Sequence, residues 1–249
     1  MLVMQGKRRW QLLVSPLVIV IGFYLFLISA NYYYAKRAAY VLHRINSLKI
    51  DNSSIAELKR LGSEHGLSYE EPSSCANMTC LHMVSPNNAW MRSLLSSPAM
   101  AGLGEKVGLR AWEAAGDILV ESQDQTVTGK VYGLLLFDGR LDPEIQAWAY
   151  EQHNFKLDRS YDPLKRHPGY GFSGAANIRS FRVMISEGAS AENREHAFEF
   201  NLDCLTEWHK CDQFSELMPR AWADHEEDRK SWKNQLCSSV GQSVSNCVD

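Results

Sequence analysis

The longest apolar stretch of the chain lies near its start. Residues 10–35 contain no charged side chain, and their centre reads LVIVIGFYLFLISA. About 20 helical residues cross the hydrocarbon core of a bilayer, so this stretch is long enough to span it with some tilt. Trp10 stands at one end and Tyr32, Tyr33 and Tyr34 at the other, as in interfacial aromatic belts. The pattern predicts a single transmembrane helix, with the lipid bilayer as a partner through residues 10–35.

A cleaved signal peptide is the alternative for this segment, but its apolar region normally spans only about 7–15 residues. Basic residues do not decide the orientation, because three precede the apolar stretch and four follow it closely. They are Lys7, Arg8 and Arg9 on one side and Lys36, Arg37, Arg44 and Lys49 on the other. We therefore take the orientation from the cysteines.

All six cysteines follow the apolar stretch and fall into short pairs. An even number of clustered cysteines favours disulfides in an oxidising compartment, although sequence alone leaves the pairing open. The hypothesis with the shortest loops pairs neighbours: Cys75 with Cys80, Cys204 with Cys211 and Cys237 with Cys247. The alternative is six reduced thiols in the cytosol. Disulfides would place the N-terminus in the cytoplasm and the rest outside it, in a periplasmic, extracellular or lumenal space.

The pattern predicts four parts: a tail (1–9), the anchor (10–35), a juxtamembrane helix or stalk (36–50) and a domain (51–249). Within the domain, a high content of strand-forming residues predicts strands at 112–121 and 126–137, the second apolar on both faces. Period-two alternation predicts strands at 178–186 and 197–204, and LHMV (81–84) adds a shorter one. Helices are predicted after Ser54, from Asp142 to Gln152, and from Pro219 to Gln235. This order indicates an α+β fold with a four- or five-stranded antiparallel sheet flanked by helices.

Alternation also predicts the core. One face of the sheet is expected to bury large apolar side chains, with Trp112 and Trp222 sealing its edges. The expected set is Val131, Leu135, Phe181, Val183, Phe198 and Phe200.

Charge narrows the classes of partner. From Asp51 onward, 19 Lys and Arg residues stand against 29 Asp and Glu residues. Nucleic-acid binding requires a basic footprint to displace phosphate counterions, so an acidic domain argues against that class. A protein partner in the membrane or envelope remains an expectation.

Candidate chemistry concentrates in a long loop, residues 153–174, which is rich in ionisable and aromatic side chains. Long loops are often functional, and His153, Asp158 and His167 are its candidate catalytic residues. Gly171-Phe172-Ser173-Gly174 lacks the strand-to-helix context of a nucleophile elbow. The Cys204, His209, Cys211 spacing does not match a structural zinc site, and we expect neither a metal nor a cofactor.

Three functional hypotheses follow. The first is a membrane-tethered domain that binds or scaffolds a partner at the cell envelope. The second is a hydrolase that works through residues 153–174. The third is an accessory subunit of a membrane complex, with the anchor as its interaction surface. A deep pocket joining His153, Asp158 and His167 would favour the enzyme.

Overall fold

A computed structural model gives the architecture of most of the chain. It describes residues 3–63, 67–70, 79–86, 89–95, 97–106, 109–121, 126–137, 144–152, 170–175, 179–186, 188–206, 211 and 213–239. These residues form one seven-stranded sheet with helices before, within and after it.

The helices are α1 (Val3–Ser47), α2 (Ile55–Gly62), α3 (Ala89–Leu95), α4 (Pro98–Lys106), α5 (Ala191–Ala197), α6 (Phe214–Leu217) and α7 (Pro219–Ser239). The strands are β1 (Leu67–Glu70), β2 (Thr79–Pro86), β3 (Ala111–Glu121), β4 (Val127–Phe137), β5 (Ile145–Gln152), β6 (Tyr170–Ala175) and β7 (Arg179–Ile185). A single 3-10 turn, Asp203–Leu205, follows α5.

The sheet confirms the α+β class but corrects its size and type. Its strand order is β1-β2-β3-β4-β5-β7-β6, so it has seven strands rather than four or five. It is mixed, because β5 and β7 run parallel whereas every other neighbouring pair is antiparallel. The parallel pair arises because β6 lies at the sheet edge and β7 returns between β6 and β5.

Two predicted elements are wrong in type. Of the helix expected from Asp142 to Gln152, residues 145–152 form strand β5, whose buried and half-buried residues alternate with period two, and residues 142–143 lie outside the described residues. The expected strand at 197–204 is instead the end of α5, a turn and the 3-10 turn. The Ser190 side chain caps α5 by accepting from the Asn193 amide, which commits this segment to a helix. The predicted strands β2, β3, β4 and β7 and the start of α7 at Pro219 are confirmed.

Helix α1 joins the apolar N-terminus to the core of the domain. Residues 16–23 are exposed, whereas Ala38, Val41 and Ile45 are fully buried on the sheet. The expected stalk at 36–50 is therefore largely core, packed against β2, β3 and β4. The burial begins inside the predicted anchor, because Leu27 joins a second cluster with Leu95.

A polar residue of the predicted anchor is also tied to the domain. The Asn31 side chain is buried and donates to the Leu205 carbonyl (2.7 Å). The Trp112 indole donates to Asn31 Oδ1 (2.7 Å), so both ends of the amide are satisfied. Trp112, expected to seal a sheet edge, lies in the interior against α1 and is 1% exposed. Trp222 is half-buried and packs edge-to-face on Phe181 (5.2 Å between ring centroids).

The predicted core set mixes the two faces of the sheet. The helix-covered face of β4 carries Tyr132, Leu134 and Leu136, all fully buried. Val131 and Leu135 alternate with them and point to the opposite face. Phe181 and Val183 do face the helices, and Phe198 and Phe200 reach the same core from outside any strand. The assignment failed for β4 because it is apolar on both faces.

Helix α1 approaches the sheet most closely at Gly116, where an added Cβ would overlap the Ile45 Cδ1 atom. We expect Gly116→Ala to lower the free energy of unfolding by about 1–3 kcal/mol, the usual cost of overpacking. Chemical unfolding of the full chain in detergent micelles measures this loss. Ile45→Val removes only the Cδ1 atom, so the same substitution should cost less in that background. Equal losses in both backgrounds would contradict the contact.

Candidate functional site

The face of the sheet opposite the helices forms a candidate binding surface. Helix α3 reaches it only at one end, where Leu95 clusters with Ala111 and Phe137. In the middle of this face, Ala115, Asp117, Trp148 and Tyr150 are half-buried, and none belongs to either hydrophobic cluster. The described helices thus cover one side of the sheet and leave the centre of the other without a packed apolar layer. We call this central region the outer face.

Strand register sets the outer face in two rows. In the first row Asp117, Val131, Tyr150 and Met184 lie side by side on β3, β4, β5 and β7. In the second row Ala115, Gly133, Trp148 and Arg182 follow the same order. Two aromatic rings from β5, one acid from β3 and one base from β7 therefore lie close together on this face.

A glycine makes room for the larger aromatic side chain. A Cβ added at Gly133 would overlap the Trp148 ring, so the indole lies across the backbone of β4. The Trp148 and Tyr150 rings are 6.1 Å apart and tilted by 33°. Trp148 Nε1 donates to Gln146 Oε1 at 3.4 Å. These contacts hold two large flat side chains on a rigid strand, and rigid aromatic groups lose little entropy on binding.

Electrostatics on the outer face follow from partial burial. Burial raises the pKa of the Asp117 carboxyl, and its Oδ1 is buried with no hydrogen-bond partner among the described residues. Burial also raises the pKa of the Tyr150 phenol, while the positive charge of Arg182 lowers it and the Asp117 carboxylate raises it. Arg182 itself is exposed. The surface thus offers a partner an exposed guanidinium beside a half-buried carboxyl group.

A second polar group links α5 and α7. His196 Nδ1 lies 2.7 Å from Asp224 Oδ2, and Glu192 lies 3.9 Å from His196 Nε2. Burial, and then the charge of Asp224, raise the pKa of the Tyr170 phenol. A His–Asp pair suits general-base chemistry when a nucleophile contacts the imidazole. The His196–Asp224 contact links α5 to α7.

A shallow groove of about 380 Å³ separates α1 from the segment that follows α5. Its walls are Ala39, Leu42, His43, Asn46 and residues 198–203. Leu42 and Phe198 are apolar, whereas His43, Glu199 and Asp203 are polar or ionisable. The groove is open and does not converge on a reactive group.

The candidates from sequence meet different outcomes. His153, Asp158 and His167 lie outside the described residues, so their catalytic role stays a prediction. Ser173 lies in β6, so a nucleophile elbow at this serine is ruled out by the strand. Among the described residues, no group of three His, Cys, Asp or Glu side chains is placed to hold a metal ion.

The structure describes the side chains of two of the six cysteines, Cys211 and Cys237. Cys211 and Cys237 are buried, and neither is a free thiol. The side chains of Cys75, Cys80, Cys204 and Cys247 lie outside the described residues. The three local pairings therefore remain predictions.

Sequence reasoning missed the outer face because its members are scattered from Ala115 to Met184 along the chain. One signal was available: a glycine inside a strand, here Gly133, often marks a close approach by another group. Comparisons with protein-family models, curated proteins and solved structures give no significant match. No functional residue can thus be transferred from a relative, and the site rests on the geometry of this chain.

Proposed function

We propose that this chain is a single-pass, membrane-tethered domain that binds a protein partner at the cell envelope through its outer face. The observation that carries the proposal is the composition of α1. Its segment Pro16–Ser47 is long and apolar enough to cross a membrane, and an 18-residue window within it has a mean hydropathy of 1.7. The exposed apolar half leads directly into a half that is built into the domain.

The N-terminal half of α1 exposes apolar side chains, whose contact with water is unfavourable. Leu17, Val18, Ile19, Val20 and Phe26 are 57–67% exposed on one continuous helix. An exposed apolar patch of this kind marks a membrane or protein contact. The local cysteine pairs favour the orientation with a cytoplasmic N-terminus and an extracytoplasmic domain.

The outer face supports binding over catalysis. Trp, Tyr and Arg are the residues most enriched at energetic centres of protein interfaces, and all three occur here on adjacent strands. Asp117 adds an opposite charge that a basic group of the partner would neutralise. The hydrolase alternative uses the predicted loop 153–174. Residues 153–169 of it lie outside the described residues, and residues 170–174 belong to strand β6 and not to a loop. An accessory subunit would use the same exposed apolar helix.

Tethering can be tested by extraction. We expect the full chain to stay with membranes in alkaline carbonate, and a variant that lacks residues 3–26 to move to the soluble fraction. Release of the full chain by carbonate would refute the tether.

Binding can be tested by photocrosslinking in cells that naturally make the protein. We expect benzoylphenylalanine at Trp148 to give a discrete adduct, and the same group at the exposed Trp232 of α7 to give none. Arg182→Glu should abolish the Trp148 adduct, because it reverses the only guanidinium charge of the two rows. The exposed Lys230→Glu is the matched charge control and should leave the adduct unchanged.

Both charge variants should keep their free energy of unfolding within about 0.5 kcal/mol, as expected for exposed sites. Two results would refute binding at the outer face. One is a Trp148 adduct that persists in the Arg182→Glu variant, and the other is the lack of any Trp148 adduct in the natural host.

A further inference from the structure

We propose that Trp90 and residues 32–37 of α1 form an interfacial belt that seats the domain on the anionic headgroups of the bilayer crossed by α1. This inference rests on the proposed tether and extends it. The domain would then touch the membrane at two places, the helix that crosses it and a second element 56 residues further along the chain.

The geometry fixes Trp90 against the end of the apolar span. Its ring centroid lies 5.8 Å from that of Phe26 and 6.3 Å from that of Tyr34. Its Nε1 donates to the Tyr34 hydroxyl at 2.7 Å. Behind it, Leu95 of α3 packs with Leu27 of α1 in a buried cluster. Even so, Trp90 remains 39% exposed, so it is held in place without being absorbed into the core.

The level of Trp90 along α1 matches the expected bilayer boundary. About 20 helical residues span the ~30 Å hydrocarbon core, so a span that starts at Trp10 ends near Ala30. Trp90 contacts residues on either side of that level, Phe26 and Tyr34. Tryptophan prefers this interface because its ring is apolar and its N–H is polar.

The side chains that follow have the order expected of a membrane surface. Tyr32 and Tyr33 are 53% and 52% exposed. One turn later, Lys36 lies 5.2 Å from the Tyr32 ring centroid and Arg37 lies 5.2 Å from that of Tyr33. The sequence of apolar, aromatic and basic groups reproduces the change from hydrocarbon to anionic headgroup.

Charge also distinguishes this rim from the rest of the domain. From Asp51 onward the chain has ten more acidic than basic residues, so its body is repelled by an anionic surface. Lys36 and Arg37 are attracted to it. Attraction at the rim and repulsion elsewhere would orient the domain with α3 toward the lipid.

Fluorescence quenching by brominated lipids tests the belt. The full chain is reconstituted in phosphatidylcholine vesicles, with and without phosphatidylglycerol, and with bromine placed either near the headgroups or deep in the acyl chains. We expect Trp90→Phe to remove a large part of the quenching by the shallow label and little of that by the deep label. Trp232→Phe, which alters an exposed tryptophan of α7, should leave the shallow quenching unchanged.

A charge variant tests the lipid preference. Phosphatidylglycerol should increase the Trp90-dependent quenching, and Lys36→Gln with Arg37→Gln should lose that increase. A carbonate-resistant chain in which Trp90→Phe and Trp232→Phe behave alike would overturn the belt but leave the tether standing. Shielding of Trp90 by a second copy, seen as shallow-label quenching that falls as the protein density in the vesicles rises, would also overturn it. A chain that carbonate removes from the vesicles would instead refute the proposed tether.

Discussion

Replacing Phe200 with Ala is expected to lower the free energy of unfolding by about 3–5 kcal/mol, the usual loss for a buried aromatic side chain. Phe200 is 7% exposed, and its ring meets Tyr132 edge-to-face at 4.9 Å. Tyr132 lies on β4 in the middle of the sheet, and its hydroxyl donates to the Ala38 carbonyl of α1 (3.1 Å). The truncation would open a cavity where the segment after α5, the sheet and α1 meet.

Urea unfolding of the full chain in detergent micelles measures this loss. Phe200→Leu keeps most of the apolar volume and should cost less than Phe200→Ala. Trp232→Ala removes a larger aromatic side chain that is 54% exposed, so it should change stability by no more than about 0.5 kcal/mol. A Phe200→Ala loss below about 1 kcal/mol would mean that the ring does not fill the core.

Lys130→Ala is expected to have a similarly large effect, about 3–5 kcal/mol, because it breaks a buried ion pair. Its ammonium lies 3.2 Å from Glu151 Oε2 on the neighbouring strand. It also donates to the carbonyls of Asn46 (3.0 Å) and Leu48 (3.1 Å), where α1 ends. Removing the amine leaves these carbonyls without that donor and leaves Glu151 to its pair with Arg194 alone.

Lys130→Met tests the contribution of the ammonium apart from that of the apolar part of the side chain. Methionine keeps an unbranched apolar side chain and lacks the charge and the hydrogen-bond donors of lysine. Thermal unfolding should place it between the wild type and Lys130→Ala. Glu151→Gln in the Met background should recover part of the loss, since no carboxylate would then remain short of a partner. If Lys130→Met unfolded like the wild type, the ammonium would contribute nothing to stability.

The pH dependence of the same variant gives an independent check. Burial, and then the charge of Arg194, lower the pKa of Lys130 from its ordinary 10.5 to about 8. Between these two values the unfolded chain holds the proton and the native chain has released it. The stability of the wild type relative to Lys130→Met should therefore rise as the pH increases across that window. If this difference in stability instead falls as the pH increases across the window, the Glu151 carboxylate keeps Lys130 protonated to a higher pH in the native state than in the unfolded chain.

Residues with a single dominant period were predicted correctly from the sequence. Strands β3 and β7 have one clear pattern each, and their bounds agree with the structure to within one residue, whereas α1 begins seven residues before the predicted anchor. Strand β5 was predicted as a helix because Pro143 is typical of a helix start, and this signal outweighed the period-two alternation of the residues that follow. Its partners β4 and β7 decide its conformation, and those contacts are not local.

The orientation of β4 was predicted wrongly and the outer face was not predicted, for a related reason. A strand that is apolar on both sides gives no signal about which side meets the helices. Asp117, Tyr150 and Arg182 come together only through the register of four strands. Their spacing in sequence therefore contains no sign of a common site.

If α1 is the proposed membrane tether, its continuity with the domain couples the orientation of the domain to the thickness of the membrane. A transmembrane helix whose apolar segment is longer than the hydrocarbon core tilts relative to the bilayer normal. The average tilt of transmembrane helices is about 20°. Because α1 also packs against the sheet, a tilt of this size would rotate the whole domain relative to the membrane. A point about 30 Å from the axis would then move roughly 10 Å toward or away from the lipid surface. Bilayers of different thickness would thus present the outer face to its partner at different heights.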